Sequence, residues 1–185
     1  MRALGLLCAL ALAGCDNDPP RKWPYPYADG GLPGADGGVV LRATNVEGIH
    51  VASCSDDTAC GTNATNPPVG GNHCAVWLNC RKYDTAQPRC QWLHNLEHGH
   101  AALLYNCPNG CAETVQKLGG LWDSLQANPA RKRILLTPDP KLPRKVAVVV
   151  WGFGWMGDEF DEAAILEVLS HQDKEAPEAN LGCSP

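Results

Sequence analysis

The chain has 185 residues, with 15 Lys and Arg against 20 Asp and Glu and a formal net charge of −5 at pH 7. The basic residues are dispersed, so there is no stripe to neutralise a phosphate backbone, and no nucleic-acid partner is expected. Beyond the N-terminal MRALGLLCALALAGC no segment approaches the roughly eighteen consecutive apolar positions of a membrane span, while about 150 further residues are enough to bury one core.

That N-terminal stretch places Arg2 ahead of an apolar run from Ala3 to Ala13 and small residues before Cys15, the layout of an export signal. Leu12-Ala13-Gly14-Cys15 resembles the bacterial lipoprotein lipobox, which implies removal of residues 1–14 and acylation of Cys15. The membrane partner would then be reached through a lipid anchor, and the location would be the bacterial cell envelope, periplasmic or at the cell surface. An ordinary secretory signal with an incidental Cys15 is the alternative. Residues 16–38, DNDPPRKWPYPYADGGLPGADGG, are dense in Pro, Gly and Asp without an apolar period. Such composition cannot offset the entropy of ordering, so residues 15–38 are expected to form a flexible tether.

A single α+β domain is expected over residues 39–185. VVLRA at 39–43 and GIHVA at 48–52 read as strands joined in a hairpin, followed by a long loop over 53–73. AALLY at 101–105 reads as a buried strand. Residues 111–128 present Val115, Leu118, Trp122 and Leu125 on one helical face, with Gly119-Gly120 weakening or splitting the helix. RILLTP at 133–138 and the β-branched KVAVVVWG at 145–152 read as strands, the second central. Trp151-Gly152-Phe153-Gly154-Trp155 reads as strand-end packing with turn glycines. A final amphipathic helix starts near Asp158 and buries Phe160, Ala164, Ile165, Val168 and Leu169. The sum is a small mixed sheet with helices packed mainly on one face and a disulfide-rich loop layer.

Of ten cysteines, eight remain once Cys8 and Cys15 are set aside. An even number in an exported chain points to disulfides. Only the close pairs Cys107 with Cys111 and Cys54 with Cys60 suggest themselves from spacing.

The segment WLHNLEHGHAALLY at 92–105 concentrates His94, His98 and His100 beside Glu97. On a helix, His94 and His98 would lie at i and i+4 with Glu97 beside them. That spacing matches the inverted zinc-protease signature, although Gly99 and the strand that follows argue against a long helix. On a strand, His94, Leu96, His98 and His100 would share a face. With His73 available from the preceding loop, these residues suit either a metal site or a hydrogen-bonded cluster at a strand entrance. Trp77 and Trp92 flank the histidines and could shield them. His50 and His171 stand isolated and read as ordinary surface or core histidines.

NPPVGGNHCAVWLNCRKYD at 66–84, WLHNLEHGHAALLY at 92–105, VVVWGF at 148–153 and DEFDEAAILEVL at 158–169 together resemble the bacterial domain-of-unknown-function family 3105. The resemblance marks His73, His94, Glu97, His98 and Gly99 and leaves His100 unmarked. This chain departs from the family pattern at Gly70, where Ser is typical, and at Cys74. The family supplies no activity. The resulting expectation is that His73, His94 and His98 bind one divalent metal ion, with Glu97 as fourth ligand or as a base. Imidazole-rich donors favour zinc or copper over calcium or magnesium. The readings that stand beside each other are a lipid-anchored metal-binding protein, a metal-dependent hydrolase or oxidase with Glu97 as candidate base, and a metal-free structural or interaction lipoprotein.

Overall fold

A computed structural model describes residues 27–28, 38–43, 46–52, 54, 57–61, 63–128 and 133–183. The expected signal peptide, Cys15 and most of the tether lie outside the described residues. Among these residues no helix is long and apolar enough to cross a membrane.

The main sheet is built from five strands of five residues: β2 (Gly38–Arg42), β5 (Ala101–Tyr105), β6 (Ile134–Pro138), β7 (Val146–Val150) and β8 (Phe153–Gly157). The two-residue β1 (Tyr27–Ala28) extends one edge, giving the order β1-β2-β8-β7-β5-β6. β5 and β6 are parallel and are connected through helix α2 (Ala112–Gln126), whereas β7 runs antiparallel to both β5 and β8. Val148 of β7 pairs with Leu103 on one side and Trp155 on the other. The VAVVV run is therefore central and wholly buried, as a strand apolar on both faces must be.

Alternate residues of these strands feed two cores. On one face Leu103, Leu136, Val148 and Trp155 meet Leu118, Leu121 and Leu125 of α2 and Ile165, Val168 and Leu169 of α3 (Glu162–Leu169). On the other face Ala102, Leu104, Leu135, Ala147, Val149 and Met156 are covered by Trp92, Leu93 and Leu96 of α1 (Arg89–Glu97) and by Val69 and Trp151. Among the described residues, two of the three α-helices thus share a face, and α1 lies in the loop layer opposite. This is the α+β arrangement expected from the sequence.

Local details differ from expectation in four places. β2 does not form a hairpin with 48–52. It pairs with β8, while β3 (His50–Val51) leaves the main sheet and runs parallel to β4 (His73–Cys74). Phe153–Gly157 is a strand rather than turn glycines. Trp151 and Gly152 alone make the turn from β7, with Gly152 at φ +76°. α2 runs unbroken through Gly119-Gly120, because Leu118, Leu121 and Leu125 anchor it on the sheet and outweigh a cost of about 1 kcal/mol per glycine. α3 is capped by Asp161, whose side chain accepts from the Ala164 N–H, rather than by Asp158.

All eight cysteines of the domain are paired: Cys54–Cys74, Cys60–Cys90, Cys80–Cys183 and Cys107–Cys111. The short 107–111 staple matches its expected pairing. Cys54 instead reaches Cys74, and Cys60, at the end of a 3-10 turn (Asp57–Cys60), reaches the first turn of α1.

Candidate metal centre

α1 carries the site. Pro88 precedes it, and its end is set by Gly99 at φ +78°. The Gly99 N–H donates to the Leu96 carbonyl and the His100 N–H to the Asn95 carbonyl, the paired bonds of a Schellman stop. Gly99 therefore ends a short helix and turns the chain straight into β5. The HNLEHGH segment is helical up to Glu97, with His98 as its C-cap. From Trp92 to Glu97 every residue is buried: Trp92, Leu93 and Leu96 reach the sheet, and His94 and Glu97 face the cysteine-rich layer. Asn95 pins that layer by accepting from the Leu78 N–H at 2.8 Å and donating to the Leu78 carbonyl at 2.7 Å.

His73 arrives from β4, and His50 is its register partner on β3. Cys54–Cys74 fastens the end of β4 to the chain just beyond β3, and Cys60–Cys90 fastens this layer to α1. The cross-links thus surround the point where the four side chains meet. Donor atoms of His50, His73, His94 and Glu97 all lie within 4.8 Å of one another. Glu97 Oε2 is 2.8 Å from His73 Nε2, 3.4 Å from His50 Nε2 and 3.8 Å from His94 Nε2. A tetrahedral ion with bonds of about 2.0–2.1 Å separates its donors by roughly 3.4 Å, and the observed spacings bracket that value.

Tautomer chemistry sharpens the picture. A carbonyl only accepts, so His73 Nδ1 must donate to the Gly71 carbonyl at 2.7 Å, and His94 Nδ1 must donate to the Cys74 carbonyl. In a neutral ring this leaves each Nε2 as a bare lone pair. His73 Nε2 then faces a carboxylate oxygen at 2.8 Å, an acceptor against an acceptor, which requires a positive particle between them. Imidazoles that hold backbone carbonyls with one nitrogen and present the other to a common point have the usual second-shell arrangement of metal ligands. Burial holds the His94 pKa down at about 4, against the raising effect of its bond to Cys74, so its ring is neutral at physiological pH. Burial likewise lowers the His98 pKa, although Glu178 and Glu97 pull it upward.

A family model described as protein of unknown function (DUF3105) matches residues 58–185. The chain belongs to this family. The DUF3105 match spans His73, His94, Glu97, His98 and Gly99, whereas His50 precedes it. No curated protein and no solved structure matches the chain.

The structure therefore brings His73, His94 and Glu97 together. It sets His98 beside them, with Nε2 2.9 Å from His94 Nε2 and 3.2 Å from Glu178 Oε2. His50, read from sequence as isolated, joins the cluster through strand pairing. His100 turns away, donating from Nε2 to the Leu181 carbonyl at 2.9 Å. It also lies by Cys80 and Cys183, but those sulfurs are spent in their mutual disulfide. Trp77 packs on His94 and His98, with ring centroids 5.0 and 4.5 Å away, whereas Trp92 belongs to the sheet core. Trp151 meets the His73 ring edge-on at 5.8 Å, so it forms part of the wall as well as a turn.

Proposed function

We propose that this protein binds a divalent transition-metal ion, zinc or copper, through His50, His73, His94 and Glu97, in an exported domain held at the bacterial envelope by a lipid on Cys15. The observation that carries the reading is convergence: His73 and His94 both give Nδ1–H to backbone carbonyls, and the Nε2 atoms of His73, His50 and His94 lie 2.8, 3.4 and 3.8 Å from one Glu97 carboxylate oxygen. Three imidazoles and one carboxylate suit zinc or Cu(II) better than the hard oxygen-seeking cations. Four protein donors fill a tetrahedral shell, whereas hydrolytic zinc sites keep one position open, so the donor count favours binding over catalysis. The lipobox and the Pro/Gly-rich segment after it support the anchored, exported setting.

The test is elemental analysis of protein purified without a histidine tag. At least one equivalent of zinc or copper is expected, and a His73→Ala, His94→Ala double variant should lose it. Undiminished metal in that variant would overturn the assignment.

A further inference from the structure

We infer that Glu97 bridges two adjacent cation positions, the second completed by His98 and Glu178. This deepens the proposed metal-binding function and rests on it. Donor atoms of Glu97, His98 and Glu178 form a second group within 4.8 Å of one another, sharing Glu97 with the first. Its geometry is built into the fold. The Glu178 N–H donates to the Glu97 carbonyl at 3.0 Å, and the Cys80–Cys183 disulfide ties down the chain just beyond, so the Glu178 carboxylate is held over the end of α1.

His98 is the independent observation. It is 2% exposed, and its Nδ1 is buried without a partner. Unlike His73 and His94, its ring is not tied to a carbonyl from behind, and its orientation is set by what its Nε2 edge meets. That edge faces His94 Nε2 at 2.9 Å and Glu178 Oε2 at 3.2 Å. Once an ion in the first position takes the His94 lone pair, His98 loses its acceptor there and is left facing two carboxylates. A divalent ion between His98, Glu97 and Glu178 would take the His98 Nε2 lone pair, with the ring proton on Nδ1, and would balance both carboxylates. A carboxylate with one oxygen toward each ion holds such pairs about 3.5–4 Å apart. One imidazole and two carboxylates make this the harder of the two positions, open to solvent on the side of Glu178, which is 53% exposed.

The test is a zinc titration of the chelator-stripped full chain, without a histidine tag, compared with Glu178→Gln. Glu178 is half-exposed and its backbone bond survives the substitution, so folding should be retained, as circular dichroism would confirm; Glu178→Ala is the second variant. The expected result is about two ions per wild-type chain and about one in either variant. Copper(II) loading should also give a spin-coupled electron paramagnetic resonance signal in wild type that reverts to that of an isolated ion in Glu178→Gln. One ion in wild type and in both variants would overturn the second position and leave the first intact. Two ions in wild type and in both variants would also overturn it, since the second ion would then lie elsewhere. No ion in wild type would overturn the underlying metal reading itself.

Discussion

His50 stands opposite His73 in the parallel register of β3 and β4, so that two imidazoles far apart in the chain point to the same carboxylate, Glu97. This two-rung ladder supplies half of the proposed first donor set, and α1 supplies the rest.

Replacing His50 by Ala should therefore weaken zinc binding, with the loss of its ring contacts to His73 and His94. Its side chain is 49% exposed, so folding should be unaffected. The loss of affinity should be at least about 10- to 100-fold, the range seen when even outer-shell partners of metal ligands are removed. Competition with a chromophoric chelator measures it, and unchanged affinity would remove His50 from the ligand set.

Gly99→Ala should destabilise the fold and loosen the site together. A non-glycine residue at φ +78° costs about 1–3 kcal/mol. The added Cβ would also meet Asp173 Oδ1 at 2.0 Å, where Asp173 pairs with Arg133. Urea denaturation should show a lower midpoint, and a variant as stable as wild type would contradict the Schellman stop.

Acid should weaken the fold through His100, which is fully buried. Burial holds its pKa at about 4, against the raising effect of its bond to the Leu181 carbonyl, while the unfolded ring titrates near 6.5. Between these values the unfolded chain binds the extra proton, so stability is retained above about pH 6.5 and falls as pH drops toward 4. Below that it levels off. The full loss is on the order of 3 kcal/mol. Thermal melts from pH 7 to 4 should trace it, and His100→Gln should flatten the slope over that interval.

Opening Cys54–Cys74 by a double serine substitution should lower stability by about 2–5 kcal/mol. It should also reduce metal affinity, because Cys74 supplies the carbonyl that fixes the His94 tautomer. If affinity survives unfolding-corrected comparison, the layer keeps its shape without the bridge.

The sequence displays the sheet wherever apolar runs are continuous. AALLY, ILLTP and VAVVV are strands because β-branched and aliphatic residues fill both faces of a covered sheet. FGWMG hides its strand behind two glycines, and only pairing with β2 and β7 on both sides makes it extended. Gly99 cuts both ways: it argues against a long helix, and it is the residue that lets a short one end and turn. His73, His94, Glu97 and His98 stand out by density and by family resemblance. His50 does not, because a lone histidine in GIHVA gains its meaning only from a ladder partner beyond a long loop. Glu178, in a polar C-terminal stretch, is equally silent until a disulfide and a backbone bond place it over α1.

Three of the first donors are almost sealed, with His73 at 0%, His94 at 2% and Glu97 at 8% exposure, whereas His50 rides half in solvent on a strand of only two residues. For an ion held as proposed, His50 is the most exposed of the four donors. Release should begin with the departure of that single outer imidazole, so the residence time of the ion would be governed by fraying of a two-rung ladder rather than by opening of the domain.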